Sequence, residues 1–279
     1  MIMQEVLNYF ETIPTLHRSI ILVGGITFFW ILEGNLPLFN FNYKKWKHAI
    51  PNFFFTITTI LINFILAFLL INIADWVTLN QFGLLYIIND LPIYISVFIG
   101  ILMLDLIGAY LPHFLEHKMK PLWMIHLVHH TDHKVDTTTA NRHHPLESVI
   151  RFIFTLIGVF IIGANIGVVM LYQSLSVLST QFTHANISLP KKIDYLLSFI
   201  IVSPDMHKTH HHYKLPYTDS NYGNLFSFWD RIFGTYKKFD RDKLIYGVDV
   251  FFNEEENGRI YDLLKQPFQK HRKPSKTKI

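Results

Sequence analysis

Histidine dominates the residues of this chain that could carry out chemistry. Thirteen of the 16 histidines lie between residues 113 and 212. Imidazole nitrogen is a preferred ligand of iron, zinc and copper. More such ligands are present than one ion needs, so the pattern predicts two metal ions held close together.

The histidines form three blocks with helical spacing, and each block offers two or three nitrogens on one helix face, because residues three and four apart are neighbours there. The blocks are H-x-x-x-H at His113 and His117, H-x-x-H-H at His126, His129 and His130, and H-x-x-H-H at His207, His210 and His211. His184 stands alone between the second and third blocks. Three rigid supports that face one cavity predict a closed two-metal centre. The alternative is a cluster of surface histidines without an ion.

The ligand type also indicates the metal. Soluble di-iron bundles combine Glu with Glu-x-x-His. The carboxylates near these histidines do not repeat that spacing; they are Glu116, Asp132, Asp136 and Asp205. A hydrolytic zinc site needs three ligands and an open position. An all-nitrogen site for two ions therefore favours iron and O₂ chemistry, although zinc binds such ligands more tightly than Fe²⁺ and could occupy the purified protein.

The composition predicts one integral-membrane domain over residues 1–279, an all-α polytopic helical bundle with a cytosolic His-rich cap. Half of the residues are hydrophobic, 16% are charged and the mean hydropathy is +0.25, whereas soluble domains carry about a quarter charged residues. The absence of cysteine excludes disulfides, thiolate sites and iron–sulfur clusters. Glu5 and Glu11 precede the first apolar run, which argues against a signal peptide.

Basic residues collect in the last part of the chain, residues 261–279. The net charge is +4, and no acidic residue follows Asp262. Beside a membrane, such a tail either contacts anionic lipid or remains a solvated end. Nothing else in the sequence supports binding to nucleic acid, so no nucleic-acid partner is expected.

Apolar runs predict three spans and a helical hairpin, at 19–34, 51–74, 91–111 and 148–183. The hairpin is interrupted at residues 163–167. Lys44, Lys45 and Lys47 place the first connecting loop in the cytosol, and residues 75–90, without Lys or Arg, lie outside. Both His-rich segments, 112–147 and 184–260, then meet on the cytosolic face, where the metal site is expected.

The order of these blocks after hydrophobic spans resembles the fatty acid hydroxylase superfamily, which includes sterol desaturases and C4-methyl oxidases. The resemblance covers roughly residues 100–236, and the first 90 residues share only the hydropathy. It includes further motifs, namely Asp105 with Tyr110, Arg142-His143-His144-Pro145 with Glu147, Gln181-Phe182-Thr183-His184, Ser203-Pro204, Asn221-Tyr222-Gly223 and Trp229-Asp230-Arg231-Ile232-Phe233-Gly234-Thr235. Pro112, beside the first ligand candidate, departs from the pattern and is expected to bend its helix.

The resemblance implies a membrane-bound di-iron oxygenase that hydroxylates or desaturates a lipid with O₂ and electrons from an external donor. Nine histidines match the ligand positions of the family, namely His113, His117, His126, His129, His130, His184, His207, His210 and His211. Five residues are expected to bind a metal or to contact a ligand, namely His133, His144, His212, Asp105 and Asp230. His17, His48 and His271 are expected to be ordinary surface or interfacial residues.

Two other functions remain open on the sequence. A zinc-dependent membrane lipid hydrolase would need an open coordination position and a nearby acid or base carboxylate. A metal-binding transporter would place ionisable residues within several spans. Fatty acyl chains, sterols, alkylglycerols and amino lipids are all compatible substrates of an oxygenase.

Overall fold

The computed structural model describes residues 1–251 and 253–270, and 68% of the chain is helical. Those residues contain no strand, which confirms the predicted all-α membrane-type fold. In chain order the helices are α1 (Ile2–Glu11), α2 (Thr15–Ser19), α3 (Gly25–Asn35), α4 (Lys45–Leu79), α5 (Leu84–Ile87), α6 (Ile93–Asp105), α7 (Leu111–Lys118), α8 (Lys120–His130), α9 (Pro145–Ile162), α10 (Ile166–His184), α11 (Lys191–Leu197), α12 (Pro204–His210), α13 (Phe228–Ile232) and α14 (Ile260–Lys265).

Four helical stretches are long and apolar enough to cross a membrane, as expected for a multi-pass membrane protein. They are Thr15–Asn35, Lys45–Ile87, Ile93–Lys118 and Pro145–Ile162. The first two include the apolar runs expected at 19–34 and 51–74, and the third begins at Ile93, two residues after the start of the run expected at 91–111. Their outer faces carry large apolar side chains such as Phe64, which is 78% exposed. The inner faces of the second, third and fourth stretches meet α10 in a core formed by residues such as Leu70, Leu104, Val159 and Val169.

The hairpin consists of α9 and α10, and it breaks where the sequence predicts. Gly163 ends α9 in the left-handed conformation with φ 74°. A Cβ on Gly163 would lie 2.2 Å from the Phe82 carbonyl oxygen, so both the backbone angle and the close approach require glycine. The Asn165 side chain then caps α10 by accepting the Val168 N–H at 3.0 Å. The hairpin tip therefore reaches the end of the bundle where residues 80–92 join the second and third spans.

The opposite end of the bundle holds the His-rich segments. The Asn52 amide in α4 donates to Thr138 Oγ1 at 2.8 Å, and the Tyr43 hydroxyl donates to Asp136 Oδ2 at 2.8 Å. The start of α4 and the loop before it therefore pack on residues 131–142. The first connecting loop and the His-rich segments therefore lie at the same end of the bundle, as the loop charges predict.

The third span carries a π-helical turn, Leu106–Tyr110, directly before α7. Pro112 follows at the second position of α7. A proline lacks the N–H and its ring clashes with the carbonyl four residues earlier. Because a π turn changes the hydrogen-bond register, it accommodates this misfit. His113 and His117 consequently remain one helical turn apart on a regular helix.

Candidate metal centre

The nine histidines that match the family pattern converge between α7, α8, α10 and α12. Eight of them are buried and His117 is half-buried. Their ligand atoms divide into two groups, within each of which all atoms lie within 4.8 Å of one another. The five-histidine group contains His113, His117, His126, His130 and His210, and the four-histidine group contains His129, His184, His207 and His211.

Each H-x-x-H-H block contributes to both groups, so the histidines that a block presents together serve two neighbouring sites and not one. In α8, His126 and His130 face the five-histidine group while His129 faces the other. The block at α12 divides the opposite way, with only its middle histidine in the five-histidine group. Residues four apart share a helix face, whereas the adjacent residue is rotated by about 100°. Two helices thereby serve two sites at once.

A pair of facing nitrogens shows why the five-histidine group fits a cation. His113 Nδ1 lies 2.9 Å from the Tyr222 carbonyl oxygen, and His210 Nδ1 lies 2.6 Å from the Ser220 carbonyl oxygen. A carbonyl can only accept, so each Nδ1 carries the proton and each neutral ring presents a lone pair at Nε2. The two Nε2 atoms are 3.0 Å apart. Two lone pairs at this distance repel each other unless a cation binds between them.

The four-histidine group repeats this arrangement around His184. Its Nδ1 lies 2.8 Å from the Thr180 carbonyl oxygen, which leaves the Nε2 lone pair free to bind. That Nε2 lies 3.1, 3.0 and 3.2 Å from the Nε2 atoms of His129, His207 and His211, respectively. Neighbouring ligands on an ion with metal–nitrogen bonds of about 2.0–2.1 Å lie roughly 3 Å apart. The residues of both groups therefore fit metal ions.

Burial keeps these imidazoles in the form that binds metal. Burial, with the neighbouring imidazoles as the next cause, holds the pKa of His129, His130, His207 and His211 well below the ordinary value. Burial also lowers the pKa of His184 to about 3. A metal ligand must be a neutral imidazole, so these residues need not lose a proton at neutral pH before an ion binds.

Glu147 organises the side of the five-histidine group that faces α9. Its Oε1 lies 2.8 Å from His126 Nδ1, 2.6 Å from His143 Nδ1 and 3.0 Å from Arg151 Nε. The carboxylate thus fixes the tautomer that turns His126 Nε2 towards the group. Arg151 also donates to Glu116 at 2.6 Å, which balances a second buried acid. The sequence shows Glu147 in a motif, but its role depends on the pairing of α8 with α9.

Three histidines that were expected to bind a metal or to contact a ligand lie outside both groups. His144 caps α9 by accepting the Leu146 N–H at 3.2 Å. His212 Nδ1 accepts the Ile245 N–H at 3.2 Å. His133 Nε2 lies 3.4 Å from the Asn257 amide nitrogen. These three side chains hold loops of the cap in place.

Two buried acids accept backbone N–H groups of the loop between α12 and α13. Asp230 accepts the N–H groups of Tyr222 and Gly223 at 2.7 and 2.9 Å. It therefore fixes the loop whose Tyr222 carbonyl orients His113. Asp105 in α6 accepts two backbone N–H groups, the Trp229 indole N–H and the Tyr172 hydroxyl.

The histidines expected at the surface have different environments. His17 is exposed and its Nδ1 lies 2.9 Å from the Tyr9 hydroxyl. His48 is not an ordinary surface residue, because only 13% of its side chain is exposed and it pairs with Asp132 at 2.8 Å and Asp136 at 3.1 Å. The approach of α4 to residues 131–142 creates this contact. His271, like the basic residues after 270, lies outside the described residues.

Comparison with known proteins agrees with this geometry. A family model for fatty acid hydroxylases matches residues 97–235, which carry all nine histidines. The chain belongs to the fatty acid hydroxylase family. No solved structure matches the chain.

Relatives of this fatty acid hydroxylase family member include enzymes named for lipid oxidation. The chain is 25% identical over 145 residues to an ornithine lipid hydroxylase of Rhizobium tropici, a match that covers 52% of the chain and 43% of that protein. It is 31% identical over 147 residues to an alkylglycerol monooxygenase of Danio rerio, covering 50% of the chain and 30% of that protein. The human alkylglycerol monooxygenase is 28% identical over 143 residues, with shares of 50% and 30%. The match spans less than half the length of each relative.

Proposed function

We propose that this protein is a membrane-bound di-iron oxygenase that hydroxylates or desaturates a lipid, using O₂ and electrons from an external reductant. The observation that carries the proposal is the pair of histidine groups, in which unprotonated Nε2 atoms face each other at 3.0 to 3.2 Å. Two iron ions bound there would supply the redox chemistry with O₂ that converts an unactivated C–H bond into an alcohol, or a single C–C bond into an alkene.

The protein's own residues provide the support for this chemistry. Helices α7, α8, α10 and α12 hold nine imidazoles in fixed directions. Glu147 and the carbonyl groups of Thr180, Ser220 and Tyr222 fix the tautomers of four of them. Because the histidines are largely buried, bulk water is kept from the reacting centre, which protects reactive species from side reactions.

The site's position supports a lipid substrate and a cytosolic electron donor. Both histidine groups lie at one end of a bundle of membrane-type helices. That end carries Lys44, Lys45 and Lys47, which the positive-inside rule assigns to the cytosol. The absence of cysteine excludes a built-in iron–sulfur relay, which supports delivery of electrons by a separate protein. The names of the relatives, an ornithine lipid hydroxylase and alkylglycerol monooxygenases, favour a lipid substrate.

The two alternative functions receive less support. A hydrolase needs a carboxylate that is available as acid or base, yet Glu116 and Glu147, beside the five-histidine group, both pair with Arg151. A transporter needs ionisable groups distributed along its spans. The nine histidines instead gather at one end of the bundle.

The proposal is tested by lipid mass spectrometry on purified, iron-loaded protein in liposomes made from extracted membrane lipid. With a chemical reductant and O₂, we expect a lipid that gains one oxygen atom or loses two hydrogen atoms. His210→Ala should abolish this change, whereas His17→Ala, an exposed position, should not. A fully iron-loaded protein that oxidises no lipid but cleaves a lipid ester would favour the hydrolase instead.

A further inference from the structure

From Ile193 onward, helix α11 and the residues after it expose apolar side chains and bury Asp194 and Ser198, whereas Lys191 and Lys192 at the start of the helix are exposed. Ile193, Leu196 and Ile200 are 50%, 57% and 65% exposed. Asp194 and Ser198, on the opposite face, are each only 3% exposed. Asp194 accepts a hydrogen bond from Ser203 Oγ at 2.5 Å. A helix at a water-facing surface shows the reverse pattern.

Helix α13 and the residue after it also expose large apolar side chains. Ile232 and Phe233 are 64% and 53% exposed. The neighbouring Arg231 turns its guanidinium onto the rings of Phe199 and Tyr236, at 4.9 and 4.1 Å from their centroids. It also donates to Ser227 O at 3.4 Å and to Ser198 Oγ at 3.3 Å. Of the two charged residues of this segment, Asp230 is buried and Arg231 is half-buried against these groups.

These residues lie alongside the third span, farther from the His-rich end of the bundle than the histidines. The Leu225 and Phe226 N–H groups both donate to Asp105 at 3.1 Å. Ser227 in turn donates its N–H to the Ile200 carbonyl at 3.1 Å. Asp105 precedes His113 by eight positions, which corresponds to about 12 Å along a helix. Ile200 is therefore placed at the level of an apolar, membrane-type helix.

Residues 226 and 233 contact aromatic side chains of that span. The Phe233 ring stacks on Tyr110 with centroids 5.2 Å apart. The Phe226 ring contacts Phe98 at 6.1 Å, and Phe98 itself is 53% exposed. A group of exposed apolar side chains marks a membrane or protein contact, and the contacts of this group with a membrane-type span point to lipid as the neighbour.

We infer that residues 193–200 and 225–233, here called the apolar wedge, are embedded in the lipid leaflet on the histidine side of the membrane. Irregular backbone at membrane depth must be satisfied within the protein. Asp105 meets this need by accepting two backbone N–H groups of the wedge. The segment after residue 190 thus does not lie entirely in the aqueous cap that the sequence predicts. This inference holds whichever reaction the histidine groups support.

Single-cysteine spin labelling tests the wedge, because the chain has no cysteine of its own. Labels at Ile200→Cys are compared in phosphatidylcholine liposomes with Phe64→Cys as the lipid reference and Asp242→Cys as the aqueous reference. Phe64 is 78% exposed on the second span, and the Asp242 side chain is 64% exposed on the cap. We expect the Ile200 label to collide with O₂ several-fold more than with a water-soluble nickel chelate, as at Phe64. Collision mainly with the nickel chelate, as at Asp242, would overturn the inference.

A second position guards against local disturbance by the label. Leu196→Cys should give the same preference for O₂, and circular dichroism with size-exclusion chromatography verifies that each labelled protein is folded. If both labels on folded protein report water, the wedge lies outside the bilayer. Neither readout depends on metal content or lipid oxidation, so failure here is distinguishable from failure of the proposed function.

Discussion

His126 Nδ1 lies 2.8 Å from Glu147 Oε1, and both side chains are completely buried. The contact joins α8 to α9 and leaves the opposite nitrogen of His126 to face the five-histidine group. Two further donors, His143 and Arg151, share the same carboxylate oxygen. The negative charge is thus balanced before any ion is bound, and the imidazole is held in one tautomer.

Replacing this carboxylate should weaken one metal site more than the other. In Glu147→Gln the amide carries N–H donors that oppose Arg151, so the orientation of His126 is no longer enforced. We expect the affinity of the five-histidine group to fall by about 10–100-fold. Titration with a chelator, followed by elemental analysis, should show one ion leaving earlier than the other. Glu254→Gln, at an exposed acid that pairs with Lys134, serves as the control. Simultaneous loss of both ions at lower chelator concentration would contradict the assignment.

Three consecutive histidines give a sharp test of the two groups. His210→Ala should remove the ion of the five-histidine group, and His211→Ala should remove that of the four-histidine group, because each loses an inward-facing ligand. His212→Ala should retain both ions, since its ring instead accepts the Ile245 N–H. Elemental analysis should give about one, one and two ions per chain on the two-ion expectation. Equal metal content in all three variants would refute the division.

His48→Ala should destabilise the fold without removing a ligand. His48 Nε2 lies 2.8 Å from Asp132, and its loss leaves a buried carboxylate without its partner. Breaking a buried pair in this way costs about 3–5 kcal/mol. Thermal unfolding in detergent should show a clearly lower Tm than for His17→Ala, whose side chain is exposed. Equal Tm values for the two variants would show that the pair contributes little.

Stability of the metal-free protein should depend on pH. Burial holds the pKa of His129, His130 and His211 well below the ordinary value of about 6.5. Below about pH 6.5 the unfolded chain therefore binds protons that the folded chain does not, and stability rises with pH. We expect the Tm of chelator-treated protein to fall from about pH 7.5 to about pH 5.5. The slope should be smaller in His130→Ala, and a Tm that increases towards low pH would contradict this view of the site.

Helical spacing was enough to predict which segments carry the ligand candidates. The spacing of His113 and His117 and of the two H-x-x-H-H blocks depends only on local helix geometry, as does the break at Gly163. The division of each block between two groups could not be predicted, because it depends on the rotation of α8 and α12 relative to each other.

Contacts made by distant segments were also beyond the sequence. Asp105 was expected to contact a ligand or another helix. It contacts α10 through the Tyr172 hydroxyl, and it also accepts the backbone N–H groups of residues 225 and 226, which the sequence did not predict. The carbonyl groups of Tyr222 and Ser220 orient His113 and His210, but every residue has a backbone carbonyl, so the residue types of this loop do not predict that role. The exposure of the apolar side chains of α11 could not be predicted, because it depends on which elements pack against the other face of this helix.

The central claim is that nine histidines hold two metal ions, and the number of ions per chain tests it most directly. Purified protein from iron-supplemented cells should contain two transition-metal ions per chain by elemental analysis calibrated against quantitative amino-acid analysis. His17→Ala should give the same value. A wild-type protein that is folded and saturated with metal but binds one ion or fewer per chain would contradict the account.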